Sequence, residues 1–307
     1  MADVYASRRK AQSTLLPVRG LRYHVHSWGD ASLATPERPP LVLMHGWMDV
    51  AASFQFVVDA LAALEGESRW IIAADWRGYG LTETPAVDSY WFADYLGDLD
   101  ALLDALQITT PIDLVGHSMG GNVVMLYAGL RPQRIRRLVN LEGFGMPPTE
   151  PADAPPRLIE WLDDLKTPQQ LRDYASVEEV AQRLMKNNPL LPADKAAWLA
   201  PHWAQPRADG RWHILGDPAH KRRNPVLSRR EETLEVWKRI TAPLLWAEGD
   251  QTKAPRSWSD RYPRSEFESR LEVLQVPVTR AVLSPAGHML HHDQPGQLAE
   301  HLRSFLA

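Results

Sequence analysis

Gly116-His117-Ser118-Met119-Gly120-Gly121 is the stretch on which the reading of this chain turns. It follows the mostly apolar run 112–115 and precedes 123–130, a run of helix-compatible residues. A serine at such a sharp strand-to-helix turn is held in a strained backbone conformation. The flanking small residues let the neighbouring chains pass closely. The hydroxyl then stands over the carboxyl edge of a sheet, where a reacting group can reach it. Ser118 is therefore the candidate nucleophile.

Outward from this turn, the first half of the chain alternates in period. Residues 21–27, 41–44, 70–74, 112–115 and 137–141 read as strands. Residues 54–64, 90–106 and 123–130 carry helical apolar spacing. Short apolar runs separated by amphipathic helices indicate parallel strands covered on both faces, so the fold class is α/β. After Gly145 the character changes, and residues 146–156 contain five prolines. From there to about Ile240 the patterns are helical and no strand is expected. Strand character returns at 243–247 and 279–283, and a final amphipathic helix spans 297–306. The simplest organisation is an α/β core of residues 1–146 and 241–307 interrupted by a helical insertion, 147–240.

Composition excludes several classes. The 307 residues include no cysteine, which removes disulfides, thiolate metal sites and cysteine nucleophiles. A net charge of -4 gives no global electrostatic case for nucleic acid or an anionic membrane. No apolar run approaches the roughly 20 residues of a membrane-spanning helix. The N-terminal residues lack the apolar stretch of a signal peptide, so a cytoplasmic location is expected. The basic residues Lys221, Arg222, Arg223, Arg229 and Arg230 are followed at once by Glu231 and Glu232 and read as a solvated helix face. Asp98, Asp100 and Asp104 read as the polar side of an amphipathic helix.

A serine nucleophile needs a base. His288 follows the strand 279–283 and comes last along the chain, the position that the Ser–acid–His order requires. His291 and His292 lie close by but precede Asp293 and Pro295, at the start of the last helix. A metal site built from His288, His291, His292 and Asp293 lacks regular spacing, and no metal or organic cofactor is expected. The developing oxyanion needs donors. The backbone N–H groups of Trp47, after the strand 41–44, and of Met119, after the nucleophile, are the candidates.

His45-Gly46-Trp47, Asp75-Trp76-Arg77-Gly78-Tyr79-Gly80, the turn 116–121 and Gly287-His288 together resemble the α/β-hydrolase superfamily over nearly the whole chain. Residues 43–54 and the turn resemble the serine hydrolase-like proteins. Asn140-Leu141-Glu142-Gly143-Phe144 is also similar to the haloalkane dehalogenase and Renilla-type luciferase branch. The resemblance implies a sheet of about eight strands with a helical cap at residues 147–240. It offers two places for the triad acid. Ordinary serine members keep it where this chain has Asp250, and the dehalogenase-like branch where it has Glu142. Asp250 is the preferred assignment. The function expected is cleavage of a carboxylic ester of a small, mostly apolar molecule through an acyl-enzyme on Ser118. Amide, lactone or C–C hydrolysis, perhydrolysis and a slow-turnover ligand receptor are the alternatives on the same residues.

Overall fold

Seven apolar runs anticipated in the sequence are strands in the computed structural model, which describes residues 4–253 and 262–307. The core begins with β1 (Gln12–Val18), β2 (Leu21–Trp28), β3 (Leu41–Met44), α1 (Gln55–Glu65), β4 (Ile71–Ala74) and α2 (Phe92–Ala105). It continues through β5 (Ile112–His117), α3 (Met119–Leu130) and β6 (Ile135–Leu141). Next come α4 (Ala154–Lys166), β7 (Asp173–Tyr174), α5 (Val177–Asn187), α6 (Ala193–Trp203), β8 (Ala204–Pro206), β9 (Trp212–Ile214) and α7 (Arg230–Trp237). The core closes with β10 (Leu244–Gly249), α8 (Arg264–Leu271), β11 (Val278–Leu283), α9 (Leu290–Asp293) and α10 (Pro295–Phe305).

Eight strands form one sheet in the order β1-β2-β4-β3-β5-β6-β10-β11. The pairs β1–β2 and β2–β4 are antiparallel and the remaining pairs parallel. Every residue of β3 and β4 is buried, because helices cover both faces. Leu99 and Leu102 of α2, Val123 of α3 and Trp237 of α7 fill one side. Val57 and Val58 of α1 and Leu298 and Leu302 of α10 fill the other. β1 escaped the sequence reading because it is an edge strand with mostly exposed residues and a proline at position 17.

β6 and β10 are neighbours in the sheet although residues 142–243 separate them in sequence. The expectation that this segment holds no strand is corrected. β7, β9 and β8 form a small antiparallel sheet. Strands of two or three residues are too short to show alternation in sequence. Of the basic residues, Arg229 does sit at the solvated start of α7, 3.7 Å from Glu232, but three others make bonds far along the chain. Lys221 Nζ donates to the Gln170 carbonyl at 2.5 Å, Arg222 to the Asp88 carbonyl at 2.6 Å, and Arg230 to Glu266 at 2.7 Å. They tie separate parts of the chain together.

Asp98 departs from its expected place on the polar face of α2. Its side chain is fully buried and accepts from Tyr23 Oη at 2.8 Å, Arg77 Nη2 at 2.6 Å and Arg19 Nη1 at 3.0 Å. It anchors the loop after β4 against α2. Asp98→Ala should therefore cost about 3–5 kcal/mol of stability, the usual result of stranding one partner of a buried ion pair. Asp104→Ala, at a side chain 68% exposed, should stay within about 0.5 kcal/mol. Urea unfolding of both variants checks this.

His220, in the segment between β6 and β10, is stacked between Tyr79 at 3.9 Å and Tyr90 at 3.7 Å. Burial pushes its pKa down from 6.5 to about 4. The unfolded chain then binds the proton first, so this contribution is complete above pH 6.5 and is lost as pH falls toward 4. His220→Phe should lose less stability than wild type between pH 7 and pH 5, as measured by urea midpoints at the two pH values.

Candidate active site

Ser118 stands between the end of β5 and the start of α3 with φ 52° and ψ -115°. Such a backbone conformation in a residue with a side chain costs on the order of 1–3 kcal/mol and persists only where the surroundings impose it. Two hydrogen bonds do so: Ser118 N–H donates to the Leu141 carbonyl at 2.8 Å, and Asn122 N–H donates to the Ser118 carbonyl at 3.0 Å. Two of the three glycines of the turn are required by close approach to backbone. A Cβ on Gly116 would lie 2.3 Å from the Gly120 carbonyl oxygen, and one on Gly120 would lie 2.3 Å from that of Met44.

His288 lies in the loop between β11 and α9. Its Nε2 is 3.0 Å from Ser118 Oγ and its Nδ1 is 2.8 Å from Glu142 Oε2. A carboxylate can only accept, so Nδ1 carries the proton and Nε2 presents its lone pair to the serine hydroxyl. Glu142 follows β6 directly, in a left-handed backbone conformation with φ 58°. Its Oε1 accepts from Gly249 N–H at 2.8 Å and its Oε2 also accepts from Thr252 Oγ1 at 2.6 Å. The buried carboxylate is thus fixed from the ends of two neighbouring strands, β6 and β10.

The preference for Asp250 as the partner of His288 is corrected by this geometry. Asp250 Oδ2 accepts from Ser284 Oγ at 2.6 Å and its Oδ1 from Ala286 N–H at 2.9 Å. These bonds hold its carboxyl below the usual carboxylate range. Asp250 braces the beginning of the loop that carries His288 and leaves the imidazole to Glu142.

The loop after β3 runs past the nucleophile. Met44 pairs with Gly116, and a Cβ on Gly46 would lie 3.1 Å from Ser118 Cβ. Trp47 is the next residue and is 52% exposed. Met119 opens α3, where backbone N–H groups have no helical partner. Buried His45 shapes this loop: its Nδ1 donates to the Gly46 carbonyl at 2.7 Å and its Nε2 accepts from Trp76 N–H at 2.9 Å. Two residues near the site had no role in the sequence reading. Thr252 completes the shell of Glu142. His117 donates from Nε2 to the carbonyl oxygen of His288 at 2.8 Å. Its place beside Ser118 at the end of a buried strand was the available signal.

Residues 39–295 match the family described as alpha/beta hydrolase fold. The chain belongs to the α/β-hydrolase family. A serine hydrolase-like protein of Danio rerio is 25% identical, covering 97% of this chain and 89% of its own length. An sn-1-specific diacylglycerol lipase of Xenopus laevis is 26% identical over 83% of this chain and 76% of its own. Among solved structures, a thioesterase domain from the curacin biosynthetic pathway superposes with a TM-score of 0.80 at 26% identity, covering 96% of this chain and 99% of that one. Among the described residues, no helix of this hydrolase is long and apolar enough to cross a membrane.

The two carboxylates should separate in kinetics. Glu142→Gln removes the acceptor that sets the His288 tautomer and should lower kcat by up to roughly 10⁴-fold. Asp250→Asn keeps the imidazole partner and should lower it far less. Steady-state rates on an activated ester measure both.

Proposed function

We propose that this protein is a serine hydrolase that cleaves carboxylic esters of small, mostly apolar substrates. The observation that carries the proposal is the relay from Ser118 Oγ through His288 to Glu142, at 3.0 and 2.8 Å. In this reading His288 takes the Ser118 proton as Oγ attacks the acyl carbonyl. Glu142 holds the imidazole in its tautomer and stabilises the imidazolium. The N–H groups of Trp47 and Met119 receive the oxyanion. His288 then protonates the leaving alcohol, and water activated by the same imidazole releases the acid.

The names of two similar proteins, a diacylglycerol lipase and a thioesterase domain, support acyl carbonyl chemistry. A thioester presents the same electrophilic carbon and belongs in the substrate panel. Exposed Trp47, the residue after the glycine that passes against the nucleophile, supports an apolar acyl or alcohol group. The segment between β6 and β10 caps the substrate site in this reading and takes part in selecting the chain length. Its tryptophans do not all serve that purpose, since Trp203 and Trp237 are buried in packing.

Ser118→Ala should reduce kcat/KM at least about 10³-fold while the thermal midpoint stays near wild type. A fluorophosphonate should label Ser118 in the wild-type protein. Across a series of uncharged p-nitrophenyl esters, kcat/KM should rise several-fold per added methylene, at about 0.8 kcal/mol each, until the pocket is full. Retention of more than a tenth of the rate in Ser118→Ala contradicts the mechanism. Indifference to acyl length contradicts the apolar pocket.

A further inference from the structure

Asp49, His117 and His291 meet in the interior beside the turn that carries Ser118. They come from three places in the chain: the loop after β3, the last residue of β5 and the short helix α9. All three are buried, with exposures of 5%, 1% and 0%. One side-chain ligand atom from each lies within 4.8 Å of the other two.

The hydrogen-bond roles in this cluster do not close among themselves. His117 Nε2 faces the His288 carbonyl oxygen at 2.8 Å and must carry the proton. In the neutral imidazole, Nδ1 is then a lone pair, and this buried atom has no hydrogen-bond partner among the described residues. The Asp49 carboxylate takes a hydroxyl hydrogen bond from Ser53 at 2.8 Å. His291 Nε2 has one long hydrogen bond, to Ser53 Oγ at 3.4 Å, and stands 3.6 Å from Asp49 Oδ2, a separation too long for a good hydrogen bond. It is near the separation of two ligands on one tetrahedral metal, roughly 3.3 Å for bonds of about 2.0–2.1 Å. A lone pair, a carboxylate and an imidazole thus converge on one region that calls for positive charge.

We propose that Asp49, His117 and His291 form a site for a divalent transition metal of the zinc class. Two imidazoles and one carboxylate suit Zn²⁺, Co²⁺ or Ni²⁺ and not the all-oxygen preference of Ca²⁺ or Mg²⁺. The outer shell is already of the kind such sites use: His117 gives its other N–H to a backbone carbonyl, which fixes tautomer and ring orientation. That carbonyl belongs to His288. The ion joins the loop after β3, the end of β5 and α9, and its role is to stiffen the carrier of the base. Its ligands are buried away from solvent, so it supplies no nucleophile.

The test is metal binding, which does not depend on the hydrolase reading. Tag-free protein is stripped with chelator and titrated with Co²⁺ while the visible ligand-field bands are followed. With no cysteine in the chain, such bands report nitrogen and oxygen ligands only. The expected result is one equivalent of Co²⁺, displaced by Zn²⁺, and a thermal midpoint that rises with Zn²⁺. His291→Gln and Asp49→Asn should each weaken binding about 100-fold or more, since outer-shell losses alone cost 10–100-fold. His213→Ala, which removes the exposed His213–Asp209 pair at 2.7 Å, should leave binding unchanged. Circular dichroism checks that each variant folds. If neither ligand variant folds, the wild-type stoichiometry and bands, retained in His213→Ala, decide. Absence of a stoichiometric band in wild type overturns the site, as does its loss in His213→Ala or its survival in folded ligand variants.

Discussion

The left-handed turn at Ser118 is the constraint around which the rest of the site is arranged. A side chain at φ 52° is unfavourable in isolation, so the fold must impose it. Its amide is bonded to the end of β6 and its flanking glycines are pressed against α3 and β3. The parallel register of β3, β5 and β6 therefore does more than bury apolar surface. It brings three strand ends to one point and pushes a single hydroxyl out from it. The loop after β3 passes within contact of the nucleophile at Gly46, where a side chain would crowd Ser118 and His117.

The same logic places the acid. Glu142 leaves β6 one residue after Leu141, whose carbonyl already holds Ser118. Serine and acid are thus braced by adjacent residues of one strand end. Asp250 sits one strand further out, after β10, and turns to the Ser284–Ala286 backbone. Each carboxylate supports the His288 loop, one at the imidazole and one at the loop's beginning. Between them, His117 holds the His288 carbonyl. The base is consequently fixed at its ring and at its main chain by residues from three strands.

Much of this was legible in the sequence. The buried strands are continuous apolar runs, and the turn carries its glycines and serine at the spacing that sharp geometry demands. Ser118 and His288 stood out because each follows a strand and the order along the chain was right. The acid was not legible to the same degree, since Glu142 and Asp250 both follow strands. Only the direction of each side chain separates them, and direction depends on backbone conformation at one residue. Glu142 has φ 58°, which sequence does not announce for a glutamate. Asp98 was misread because helical periodicity cannot show that a hairpin, β1–β2, covers the polar side of α2 with Tyr23 and Arg19. The Asp49–His117–His291 cluster was invisible for a related reason, as its members meet only when three separate elements pack.

The pairing of His288 with Glu142 is the claim on which the account of the site rests, and proton NMR addresses it without substrate. A strongly hydrogen-bonded Nδ1 proton of His288 should give a far-downfield imidazole resonance. The account requires that resonance to vanish or move sharply upfield in Glu142→Gln and to persist in Asp250→Asn. Its persistence in Glu142→Gln together with its loss in Asp250→Asn would contradict the account.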